Sequence, residues 1–233
     1  QEGRRLAGVV YLAAYYDFLN KPDPRYGKLE FGLEYLLREA GRRLPAHAPF
    51  VYAGSMTTLR PVEPGQVLTE DSPRWGPWAY PAHKLRCEEI IEAAEVPQAR
   101  CQLVFAGVYS EWCELVPLYF QLERARGSGP SSALYPGATD RGLTYVHVED
   151  TASAIERALE TKRGGEGQSR YLIGETAPYT YAEIDSAARE AFGQKPRALI
   201  QVPKFLAKAG ASVLSAVGSE DFVRPWMVDY ADE

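Results

Sequence analysis

Tyr80 and Lys84 stand four residues apart in the segment YPAHK, a spacing that puts both side chains on one face if the segment is helical. Pro81 suits the first turn of such a helix, where a missing N–H costs least. A phenol in water titrates near ~10 and exchanges protons poorly at neutral pH. A neighbouring ammonium stabilises the phenolate and lowers that value. Ser55, 25 residues before Tyr80, closes the apolar run FVYAGS and could present a hydroxyl to the same substrate oxygen. Ser55, Tyr80 and Lys84 together would form a proton-transfer device. The Tyr–Lys spacing taken alone is weak evidence, and Ser55 also reads simply as a cap for the turn after it.

The elements needed to position these residues alternate in kind. Residues 8–14, GVVYLAA, form a nearly continuous apolar run, as in a strand buried on both faces of a parallel sheet. YYDFLNKPDPRYG then reads as a loop from its Asn, Pro, Asp and Gly content. Leu29, Leu33, Leu36, Leu37 and Ala40 predict a helix over 28–43. FVYAGS predicts a second strand, the Tyr80 segment a helix to about Ala94, and CQLVF at 101–105 a third strand. This rhythm argues for a parallel sheet with flanking helices, in which chemistry gathers at the carboxyl ends of the strands. Ala13, Ala14, Ser55 and residues 106–109 all lie at such ends.

The second half is less regular. Residues 110–142 hold one expected helix and a Gly/Pro/Ser-rich loop. YVHVED at 145–150 predicts a strand entering a helix with Asp150 as its N-cap. RYLIGE at 170–175 predicts another strand, and Thr180 and Glu183 have the spacing of a capping box. A further amphipathic helix is expected from Pro203. His83 is expected to face solvent, on a helix face other than that of Tyr80. Tyr145, His147 and Asp150 are expected to serve the strand and the cap rather than catalysis. Trp75, Trp78 and Trp112 read as core or lid packing, with a substrate-pocket wall as the alternative.

Composition narrows the classes. The 233 residues are 45% hydrophobic, enough for one full core and a smaller lobe. A net charge of −5 offers no basic face to nucleic acid. Cys87, Cys101 and Cys113 are odd in number and lack CxxC pairing, so they read as small core residues in a reducing, cytoplasmic compartment. His47, His83 and His147 lack ligand spacing, so no metal is expected. No apolar run reaches bilayer-spanning length and no signal-peptide core opens the chain, so no membrane partner is expected.

Several ordered segments together resemble the extended short-chain dehydrogenase/reductases, in the NAD-dependent epimerase/dehydratase group. VVYLAA resembles the family's fourth-strand motif, FVYAGSM the strand bearing its catalytic Ser or Thr, and DSPRWGPWAYPAHKLRCEEII its acidic lead-in and YxxxK helix. LVFAGVYS resembles the segment passing the nicotinamide, and YVHVEDTASAI the strand–helix pair of the substrate half. The resemblance implies an α/β fold: a Rossmann-type, mostly parallel sheet with flanking helices, missing the first strands, plus a smaller C-terminal substrate-binding lobe. Residues 1–108 would be the remainder of the dinucleotide-binding domain. Residues 109–233 would form a mixed lobe with strand–helix returns to the core. The cofactor implied is NAD or NADP. Tyr80 would be the acid/base, Lys84 would lower its pKa and hold the nicotinamide ribose, and Ser55 would bind the substrate oxygen. Leu12, Ala13, Ala14, Gly107 and Val108 would line the dinucleotide, with Tyr80 and Lys84 reaching it too. The partner implied is a small-molecule alcohol, sugar or sterol-like substrate. MTTL after Ser55 lacks the acidic residue usual in the group's dehydratases, which favours dehydrogenation, reduction or epimerisation. A homodimer is common among relatives, and Leu33–Leu37 with Ile90–Ile91 would supply that face or merely cover the sheet.

The departures bear on function. No glycine-rich pyrophosphate turn occurs in the sequence, and QEGRRLA stands directly before the segment resembling the fourth strand. Two βα units, roughly sixty residues, are therefore expected to be absent. LEFGL puts Leu29 and Leu33 where the family usually has Asn and Thr. The sequence reads as an interior fragment, with natural truncation as the alternative. Two functions remain: an NAD(P)-dependent oxidoreductase or epimerase, or a non-catalytic binding or structural module that kept the fold without its dinucleotide half.

Overall fold

The computed structural model describes residues 6–16, 21–63 and 65–209. Its elements are β1 (Val9–Tyr11), α1 (Pro24–Arg43), β2 (Phe50–Ser55), α2 (Ala79–Ala93), β3 (Arg100–Phe105), β4 (Gly107–Tyr109), α3 (Val116–Arg126) and β5 (Leu134–Pro136). Then follow β6 (Gly142–Leu143), β7 (Tyr145–His147), α4 (Val148–Thr161), β8 (Gln168–Ile173), β9 (Tyr179–Thr180), α5 (Tyr181–Ala191) and β10 (Ile200–Val202). The described residues fall into two compact units, one within 1–61, 67–108 and 146–174, the other within 62–66, 109–145 and 175–233.

The first unit is a parallel sheet in the order β1-β2-β3-β8. Because side chains alternate along a strand, β2 sends neighbouring residues into two separate cores. Phe50 and Tyr52 meet Leu33, Leu37 and Ala40 of α1 and Cys87, Ile90 and Ile91 of α2. Val51 faces the other way and joins Cys101, Leu103, Phe105, Val146 and Ala158. Burial on both faces is why these strands read as unbroken apolar runs. Leu33, Leu37, Ile90 and Ile91 are all spent on covering the sheet. The buried Gln98 carboxamide donates to the Ala40 and Leu44 carbonyls, at 3.1 and 3.0 Å, tying the end of α1 to the start of β3.

Several boundaries differ from expectation, each for a local reason. Regular pairing of β1 covers only Val9–Tyr11, against Phe50–Tyr52, so residues 12–14 lie beyond the strand. Helix α1 begins at Pro24, inside the expected loop, because Asp23 accepts from the Arg25 amide at 2.8 Å and Pro24 takes the first helical position. Helix α4 begins at Val148 with His147, not Asp150, as N-cap; Asp150 lies in the first turn. His83 is buried, not exposed. Three residues advance a helix by 300°, which leaves His83 only about 60° from Tyr80 and on the side that packs against α1.

In the second unit α3 packs on α5. Arg197 pairs with the buried Asp185 at 3.0 Å, and Arg189 donates to the carbonyls of Ala125, Gly127 and Lys195. The Thr180–Glu183 capping box is present at the start of α5. Beyond Pro203, residues 204–209 are helical and the rest of the expected helix lies outside the described residues. Cys87 and Cys101 are buried free thiols, and Cys113 is half-buried.

Candidate functional site

The carboxyl end of β2 and the amino end of α2 meet in the first unit, and the candidate residues lie there. Tyr80 is the second residue of α2, and the helix's first backbone bond runs from the Ala82 amide to the Trp78 carbonyl. Gly76 allows the incoming loop to close on this turn, since a Cβ there would stand 3.0 Å from Ala82 Cα. The Tyr80 ring is half-buried and lies edge-on to Tyr16, with centroids 4.6 Å apart. Among the described residues no helix is long and apolar enough to cross a membrane, and no His/Cys/Asp/Glu group could hold a metal ion.

Lys84 follows one turn later and is only 3% exposed. Its Nζ donates to the Ala53 carbonyl of β2 at 2.7 Å and lies 4.9 Å from the centre of the Tyr52 ring. Burial pulls its pKa down to about 8, against the opposing influence of Cys87 and Glu88. At pH 7 the amine is still a cation in about nine molecules of ten.

Ser55 ends β2 and caps the short 3₁₀ turn Met56–Thr58. Its Oγ accepts from the Thr57 amide at 3.4 Å and lies 3.0 Å from Thr57 Oγ1. The capping role is therefore real, and the residue remains half-buried at the strand end. After β1, Leu12, Ala13 and Ala14 are exposed. After β3, Gly107 and Val108 are half-buried, and Val108 leans on the α4-side core. These segments end neighbouring strands in the order β1-β2-β3. Trp75 and Trp78 are half-buried and meet edge to face at 5.6 Å, while Trp112 is exposed.

Sequence reasoning missed two groups around this helix. His83 Nδ1 lies 2.9 Å from Glu30 Oε1, and its ring lies 4.9 Å from that of Tyr26. Burial lowers the His83 pKa against the pull of Glu30. Glu88, one turn beyond Lys84, is fully buried. It contacts Thr58 Oγ1 at 2.8 Å and Arg170 Nη2 at 3.2 Å. Charged residues on helices are usually solvated, so only the four-residue series Tyr80, Lys84, Glu88 pointed inward. A groove lined by Leu37, Gly41, Ile90 and Val96 lies toward the far end of α2 and includes none of Ser55, Tyr80 or Lys84.

No protein-family model and no curated protein matches this sequence. Solved structures do match. UDP-N-acetylglucosamine 4-epimerase from Bacillus cereus superposes with a TM-score of 0.65 and 19% identity, over 84% of this chain and 66% of that one. dTDP-glucose 4,6-dehydratase from Bacillus anthracis, in complex with NAD, gives 0.65 and 19%, over 84% and 60%. UDP-glucose 4-epimerase from Thermus thermophilus, in complex with NAD, gives 0.63 and 21%, over 85% and 65%. The fold is that of the NAD-dependent epimerases and dehydratases. This chain spans 60–66% of the length of those three. At such identities the likeness carries the Rossmann-like fold and leaves the chemistry to be argued from the residues.

Proposed function

We propose that this chain carries the proton-transfer centre of an NAD(P)-dependent oxidoreductase or epimerase acting on a hydroxyl or carbonyl carbon of a small molecule, with nucleotide sugars the substrate class named for the structural neighbours. The observation that carries this reading is Lys84, a buried amine anchored at the carboxyl end of a parallel strand, one helical turn from Tyr80.

The residues present fit the nicotinamide–ribose end of a dinucleotide. Leu12, Ala13 and Ala14 offer an exposed, mostly small-residue surface, and the half-buried Gly107 adds no side chain of its own. Lys84 gives one of its three N–H donors to Ala53, and the ammonium is the group that would meet ribose hydroxyls. When bound, the dinucleotide supplies the hydride acceptor or donor. Tyr80 Oη takes the proton from the substrate hydroxyl in the oxidising direction and returns it in the reducing one. Ser55 Oγ, held by the Thr57 amide and hydroxyl, donates a hydrogen bond to the same substrate oxygen. Lys84 makes Tyr80 a stronger acid through its charge.

Titration of NADH and NADPH into the purified protein, followed by nicotinamide fluorescence, tests this reading. Saturable binding of one dinucleotide is expected. Y80F should keep that binding and lose roughly 10²–10⁴-fold in turnover. Absence of binding to either dinucleotide, also in a version extended upstream through a strand and glycine-rich turn, would overturn the proposal.

A further inference from the structure

Below Lys84 the same face of α2 carries Glu88, whose carboxylate is out of water yet joined to three other elements. Its Oε1 meets Thr58 Oγ1 at 2.8 Å, and that hydroxyl also lies 2.9 Å from the Ser55 carbonyl oxygen. Its Oε2 accepts from Arg170 of β8 at 3.2 Å, with Arg74 Nε at 3.9 Å. Arg170 in turn donates to the Glu70 carbonyl at 2.8 Å, and the Glu70 carboxylate accepts from the Leu172 amide at 3.1 Å. Gly54 of β2 passes beside this carboxylate, and a Cβ there would make an ordinary 3.5 Å contact with Glu88 Oε1 and a tighter one, at 3.3 Å, with the Leu103 carbonyl oxygen.

A buried carboxylate is an expensive way to fill space, and an apolar side chain of similar size would usually serve stability as well. Its contacts here are not spread at random. Helix α2 is joined at two points one turn apart to β2 and to the turn that follows it, Lys84 to Ala53 and Glu88 to Thr58. The first holds the candidate cation and the second holds the turn that begins at Ser55. We infer that Glu88 is a positioning residue: through Thr58 it sets the Ser55–Thr58 turn against the helix that bears Tyr80 and Lys84. Arg170 keeps the carboxylate aimed at Thr58 and fastens the loop at Glu70 to β8. This inference rests on the proposed role of Ser55, Tyr80 and Lys84, but its test does not need a bound dinucleotide.

The groups facing the Lys84 amine are the Tyr52 ring and Ala53 carbonyl from β2, and His83, Cys87 and Glu88 from its own helix. Those facing Glu88 are Thr58, Arg74, Glu92 and Arg170, with Lys84 one turn back on α2. Amide hydrogen exchange at residues 55–59, with β3 amides as reference, is measured in wild type, E88Q, T58V and T58S, and Lys84 is titrated by side-chain NMR. T58V is expected to speed exchange at 56–59 roughly tenfold or more while leaving β3 unchanged, and T58S to restore it. E88Q is expected to speed the same amides and to lower the Lys84 titration midpoint. Exchange at 56–59 unchanged in T58V and E88Q, or raised equally in β3, would overturn the inference and leave Glu88 a packing residue. Loss of dinucleotide binding in wild type would count against the proposed function alone.

Discussion

The Nζ of Lys84 lies 2.7 Å from the carbonyl oxygen of Ala53, so this buried cation of α2 is fastened to the β2 backbone two residues before Ser55. The bond fixes the amine at the carboxyl edge of the sheet. Burial also removes the amine from water, and this outweighs the support of Cys87 and Glu88, so its pKa is pulled down from 10.5 to about 8.

Stability should therefore depend on pH through Lys84. Its folded pKa lies below its unfolded one, so between about 8 and 10.5 the unfolded chain holds more protons. The cost of the buried ammonium is fully present below pH 8, on the order of 3 kcal/mol, and is relieved as pH rises toward 10.5. K84M removes that cost. It also leaves the Ala53 carbonyl without its donor, a loss of roughly 1–3 kcal/mol that does not change with pH. Urea midpoints at pH 7 and pH 10 separate the two: K84M should compare more favourably with wild type at pH 7. An equal difference at both pH values would contradict the burial argument.

His83 and Glu30 make a second pH-dependent pair, between α1 and α2. Burial holds the His83 pKa below its usual 6.5, so protonation below that range costs stability, and the Glu30 carboxylate offsets part of the cost. E30Q keeps a hydrogen-bonding group beside the neutral ring but removes the charge that supports the imidazolium. The expected result is little change at pH 8 and an added loss of roughly 1 kcal/mol at pH 5.5. A loss that is the same at both pH values would show that Glu30 acts only by packing.

What the sequence revealed and what it hid divide along physical lines. FVYAGS was legible to the residue as β2, and Arg100–Phe105 within one residue, because strands buried on both faces leave unbroken apolar runs. The YPAHK helix was legible because Tyr80, Lys84 and a first-turn Pro agree on one register, and Thr180 with Glu183 marked a helix start by their own hydrogen bonds. The start of α1 was hidden because Asp23 and Pro24 belong equally to loops and to helix caps. Only the fold around them decides which.

Glu88 and His83 were hidden for a different reason. Composition assigns a charged or titratable helix residue to solvent unless a partner is known, and both partners are remote in sequence: Arg170 is 82 residues from Glu88, and Glu30 is 53 from His83. No local pattern predicts such pairs. The roles proposed for Ser55, Tyr80 and Lys84 rest in the sequence on a spacing alone, to which the structure adds the burial of Lys84 and its bond to β2.

Arg170 and Glu88 give the sharpest stability prediction. The Glu88 pKa is raised, burial outweighing the opposing influence of Arg170, Thr58 and Arg74. For an acid with a raised folded pKa, the cost is present above that value and relieved as pH falls through it. R170M would leave the carboxylate buried without its principal cation and would also free the Glu70 carbonyl. The expected loss is roughly 3–5 kcal/mol at pH 8, because an uncompensated buried charge costs more than the intact pair contributes. It should shrink in acid, as the pH falls through the raised Glu88 pKa and the carboxylate takes up a proton. E88Q/R170M removes the charge along with its partner and should be more stable than R170M alone. The cycle is read from urea midpoints of the four proteins at pH 8, with R170M repeated at pH 5. Strictly additive losses, or an R170M loss that does not diminish in acid, would show that the two residues stabilise the fold independently.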